Sequence, residues 1–230
     1  MKKISEKSIK SLELLENNYR LIYTFIMAAP LIRALEIVFL KGNEVDVWVL
    51  KDMDHIFLVE IILLFIYLAV YIRFLLGDFR YLDLKYLQHQ NESEYIQRYS
   101  PLSRFIDFGS LIIHAIFFYI LATAISNFTQ FYMILIMLLT INSAWLLFVY
   151  WTTSKENRQR LESKSSFGWA INNIVCSLLL LIFFQYADNF ESFSSVIVFL
   201  AIVLANTIVD YALAWKMYFP KIQEEIIELK

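Results

Sequence analysis

Between Ile56 and Leu76 the chain runs for 21 residues with two charges, Glu60 and Arg73. A helix needs about 20 apolar residues to cross a hydrocarbon core of ~30 Å. Backbone polar groups find no water there, so a lone apolar segment must satisfy them within itself, as a helix does. The stretch therefore reads as a membrane span, and the charges Asp78, Arg80 and Asp83 mark where the chain leaves the lipid.

The same pattern, a long apolar run followed by charges, recurs along the chain. It places spans at about 21–40, 56–76, 105–125, 131–151, 167–187 and 193–215. Hydrophobic residues make up 59% of the 230 positions and charged residues 18%, against about 25% charged in an ordinary soluble domain. So much apolar surface requires lipid to cover part of it. The reading is an all-α polytopic integral membrane protein: one membrane domain over 1–230 with six transmembrane helices. A cleavable leader is not expected, because about the first 20 residues are mostly polar and no short apolar run ends in a small-residue cleavage site.

Details of the connections refine this. Residues 1–19 carry Lys2, Lys3, Lys7 and Lys10 among Ile4, Ile9, Leu12 and Leu15, the spacing of an amphipathic segment lying on the membrane surface. Pro30 falls inside the first span and removes one backbone hydrogen bond, so a kink is expected there. Val45, Val47 and Val49 alternate with Asp46 and Trp48, which suits a short extended piece in the loop 41–54. The second helix is expected to continue past Gly77, with Phe79, Leu82 and Tyr86 on one face. Ser100-Pro101 suits a helix start. The links SNFTQ and DNFES are short enough to make antiparallel hairpins of their flanking spans.

Orientation follows from the positive charges. Lys2, Lys3, Lys7, Lys10 and Arg20 precede the first span. Arg73, Arg80, Lys85, Arg98 and Arg104 flank or fill the second connection. Lys155, Arg158, Arg160 and Lys164 lie in the fourth, and Lys216, Lys221 and Lys230 in the tail. All fall on one side, against Lys41 and Lys51 on the other. The positive-inside rule then makes 77–103, 152–166 and the 216–230 tail cytoplasmic, with both termini, in a cell membrane of the bacterial inner-membrane type.

Ionisable and amide side chains at membrane depth are costly and so point to function. One set, Arg33, Glu36 and Glu60, lies in the outer third of its helices, as the outer mouth of an ion path would. A larger set forms inner stripes: Asp78 below Glu60, Tyr67 and Tyr71; Asp107, Ser110 and His114; Asn142; Asn172 and Asn173; Asn206 and Asp210. These stripes must face each other or water. Asp210 has no partner on its own helix and needs Arg73 or His114 from a neighbour. The plainer role of the same residues is to bond helices together.

No phosphate-binding glycine loop, HExxH pattern or Ser-His-Asp arrangement occurs, and Cys176 is the single cysteine. The reading is therefore a non-enzyme with no catalytic, metal or cofactor site. Two functions remain. The first is permeation, as a small channel or carrier for a cation or small solute; acidic outer loops (Glu44, Asp46, Asp52, Asp54, Asp188, Glu191) would concentrate cations for it. The second is an accessory or scaffold subunit whose basic cytoplasmic face recruits a cytosolic protein or meets anionic lipid. The lipid-facing spans, rich in Phe, Tyr, Leu and Ile, also suit a homo-oligomer; nothing suggests nucleic acid.

Overall fold

The computed structural model describes residues 6–40, 55–82, 101–152, 163–187, 190 and 192–215. These form six helices, each long and apolar enough to cross a membrane. They are α1 (Glu6–Phe39), α2 (His55–Leu82), α3 (Pro101–Thr123), α4 (Phe128–Thr152), α5 (Ser163–Tyr186) and α6 (Phe193–Leu213). The extended piece at 45–49, the continuation past Leu82, residues 153–162 and the tail from 216 lie outside the described residues.

Local chemistry sets several boundaries. α1 joins the expected surface segment to the first span without a break, and Pro30 sits inside it; the proline ring leaves the Ile26 carbonyl without its usual donor. α3 begins at Pro101 as the Ser-Pro pair suggests. α4 begins at Phe128, three residues before the expected Phe131. The reason is Asn127: its Oδ1 accepts from the Gln130 N–H at 2.9 Å and caps the first turn. Ser192 does the same for α6, with an extended backbone and its Oγ accepting from the Ser195 N–H.

Packing makes a closed circuit. α1 lies on α3, α3 on α4, α4 on α5, α5 on α6, α6 on α2 and α2 on α1; α2 also touches α3 and α4. Consecutive helices run in opposite senses. Phe39 meets Phe57 at one end of α1 and α2, while Tyr23 meets Asp78 at the other. α2 and α6 run parallel: the His55 and Phe193 rings meet at one end, and Arg73 meets Asn206 and Asp210 toward the other.

The two ends of the bundle differ in chemistry. The end holding the α4 start and the α5 end is aromatic: Tyr132, Phe184 and Phe199 surround Phe128 and Phe190 with ring centroids 4.7–6.1 Å apart. The other half holds the buried Arg73, Asp78, Asp107 and Asp210, while Glu60 is buried nearer the aromatic end. Outward, α5 and α6 expose Val175, Leu178, Leu179, Ile182, Val198, Ile208 and Val209, a continuous apolar exterior suited to lipid.

Candidate functional site

Arg73 is the largest fully buried side chain among the described residues. It reaches from α2 into the junction with α5 and α6. Its Nη2 donates to Asn173 Oδ1 at 3.0 Å and its Nη1 to Asn206 Oδ1. Its Nε lies 3.8 Å from Asp210 Oδ2, and neither side chain of that pair has any exposure. The guanidinium also lies 5.3 Å from the centre of the Phe74 ring. Arginine has only donors to offer, so both asparagine oxygens must turn toward it.

The amides then lock α5 to α6. Asn206 Nδ2 donates to the Asn172 carbonyl at 3.2 Å, and Asn172 Nδ2 returns a bond to the Asn206 carbonyl at 2.9 Å. One asparagine thus serves both the charge and the helix seam. One turn before Asn173, the Trp169 indole packs edge-on to Phe74 at 6.2 Å and fills the space above Gly77. Gly77 lies inside α2, where a Cβ would run into that ring.

A second cluster lies between α1, α2 and α3. Asp78 Oδ2 accepts from the Tyr23 hydroxyl at 2.6 Å and faces His114 Nδ1 at 3.2 Å. All three are buried, and the His114 ring stands edge-on to Phe74 at 5.3 Å. Phe74 therefore touches both clusters. Close by, the Tyr81 hydroxyl donates to Asp107 Oδ1 at 3.0 Å, and Ser110 Oγ donates to the Asp107 carbonyl. Tyr71 spends its hydroxyl on the Met27 carbonyl of α1.

The expected inner stripes thus do face inward, but they divide. Asn173, Asn206 and Asp210 gather on Arg73, with Asn172 beside them; Asp78 and His114 gather on Tyr23; Asp107 pairs with Tyr81. Of the two partners expected for Asp210, the structure selects Arg73. Arg73, counted above among the positive charges of a cytoplasmic flank, lies inside the bundle instead, and the charge bias it contributed to survives its removal. Asp78, read from the sequence as part of the cluster where the chain leaves the lipid, is only 8% exposed.

Asn142 is buried on α4, and its Nδ2 has no acceptor. On the antiparallel α4–α5 pair it falls between the Tyr132–Leu180 contact and the Tyr150–Phe167 ring pair, about level with Asn173. In the outer set, Arg33 and Glu36 pair with each other across 3.3 Å on α1 and are about one-third exposed. Glu60 is buried on α2.

Tyr23, Tyr81 and Ser177 were not read from the sequence as site residues. A tyrosine at the inner end of a span reads as an interface anchor, and only the packing shows which hydroxyl meets a carboxylate. Among the described residues no group of three or more His, Cys, Asp or Glu is placed to hold a metal. No protein-family model, curated protein or solved structure matches the chain.

Proposed function

We propose that this chain is a multi-pass membrane protein that passes a small ionic or polar solute through the charged half of its bundle. Both termini lie on the basic, cytoplasmic side in this reading. The observation that carries it is the fully buried Arg73–Asp210 pair with its two asparagines.

Helix cohesion alone does not call for such a pair. Removing two charges from water costs several kcal/mol per ion, and apolar side chains of similar volume often hold a core equally well or better. The aromatic half of this same bundle is joined by close ring contacts. A charge pair kept at span depth is therefore read as a path element.

The geometry favours a gated protein over a standing pore. Arg73, Asn173 and Asp210 are fully buried and in contact, so the route is shut at this level in this conformation. Opening requires Arg73 to leave Asp210 or α6 to draw away from α2. Asp78, with Tyr23 and His114, lies on the other side of Phe74 and would be the next polar station toward the cytoplasm.

The test is solute flux from liposomes carrying purified protein, wild type beside Asp210→Asn. Flux by the wild type that changes in the variant supports the reading. No flux of alkali cations, protons, halides or small polar solutes from well-folded protein overturns it.

A further inference from the structure

We propose that the Arg73 junction holds a binding site for a small monovalent anion of the halide type. The proposal rests on the reading of this junction as the place where solute binds, and it narrows that solute to one chemical class.

The reasoning starts from which polar atoms are already committed. Asn173 Oδ1, Asn206 Oδ1 and Asp210 Oδ2, oxygens that would ligate a cation, all face the Arg73 guanidinium. A cation entering here would have to share those oxygens with a positive charge at contact distance. Several donors at the junction also remain uncommitted. Because Asn173 Oδ1 must turn to Arg73, its Nδ2 is directed away, and that N–H group is buried with no acceptor. Arg73 Nε makes no hydrogen bond; it has only the long ionic contact with Asp210.

One turn further along α5, Ser177 Oγ is buried and unbonded as well. A helical serine or threonine ordinarily donates to the carbonyl four residues back. Thr140, Ser143 and Thr207 do so here at 2.7–2.9 Å. Ser177 does not, although Asn173 O is the carbonyl it would use. Asn142 brings a further unbonded amide to the same level from α4. Each buried donor without an acceptor is unfavourable, and the penalty is lifted by supplying one. One anion beside Asn173 and Ser177 supplies an acceptor to several donors at once, with Arg73 providing the positive charge.

The experiment uses the full chain in detergent. Its thermal midpoint is followed against sodium bromide, with sodium gluconate keeping ionic strength constant. A saturable rise with bromide is expected. Ser177→Ala, which removes one donor and little volume, should raise the half-saturating bromide concentration about tenfold, the lower worth of one hydrogen bond to a charged acceptor. Asn142→Leu should shift it in the same direction. No saturable bromide effect on folded wild type overturns the proposal and makes the junction a dry seam. A bromide effect unchanged in both variants overturns it too, since the ion then binds elsewhere. So does saturable stabilisation by sodium or potassium that is indifferent to the anion. Flux separates this proposal from the permeation reading. Site-dependent bromide binding without flux of any solute keeps the site and removes permeation. Cation flux without bromide binding does the reverse.

Discussion

Neutralising Asp210 is the most direct perturbation of this structure. Its Oδ2 lies 3.8 Å from Arg73 Nε with both side chains fully buried. At the effective dielectric near 20 that suits protein sites, Coulomb attraction across that gap is about 4 kcal/mol. Asp210→Asn keeps the shape and removes the charge, leaving Arg73 with amide oxygens alone. Breaking a buried pair by removing one partner costs about 3–5 kcal/mol. Arg73→Met should cost a similar amount, because it strands the carboxylate. The double variant removes both charges and forfeits the hydrogen bonds to Asn173 and Asn206, each about 1–3 kcal/mol. Its cost should therefore fall at least ~2–3 kcal/mol short of the summed single costs. The assay is a double-mutant cycle on reversible unfolding in mixed micelles, titrated with a denaturing detergent. Costs that add within about 0.5 kcal/mol, the behaviour of independent sites, would refute the pairing and with it the site built around Arg73.

Three further outcomes follow from particular contacts. Tyr23→Phe removes a 2.6 Å hydrogen bond to a buried carboxylate and should destabilise by about 1.5–3 kcal/mol, measured in the same unfolding assay; His114→Phe beside it should not be additive with it. Gly77→Ala places a methyl group into the Trp169 ring, with Cζ3 only 2.7 Å from the new carbon. It should cost about 1–3 kcal/mol and be largely relieved by Trp169→Leu; an unchanged thermal midpoint for Gly77→Ala alone would contradict the packing. Asn127→Ala removes the α4 cap and should cost about 1 kcal/mol, read as lost amide protection in hydrogen exchange confined to the first turn of α4.

What could be read from the sequence, and what could not, divides along a physical line. Span length and apolarity are properties of single segments, so six helices long and apolar enough to cross a membrane were legible, and the helix over 55–82 was seen to outlast its apolar run. Caps are legible only when the residue is read as a ligand for the next turn; Asn127 looked like link, so α4 came out three residues short. Facing direction was legible from polar residues and from nothing else. In a helix apolar all round, such as α5 or α6, the hydrophobic pattern has no preferred side, yet Asn173 and Asp210 cannot face lipid. Pairing was the part out of reach. Asp210 could be seen to need Arg73 or His114, but the choice depends on α2 lying against α6 while α1 and α3 close around Asp78. That order comes from how bulk is distributed across several helices at once: Trp169 fitting over Gly77, and Phe74 standing between Arg73 and His114. Phe74 is thus the residue through which the two charged clusters share one core. A change at either cluster that tilts this ring is transmitted to the other by contact; under the proposed gated reading this couples the Asp78 cluster to opening at Arg73.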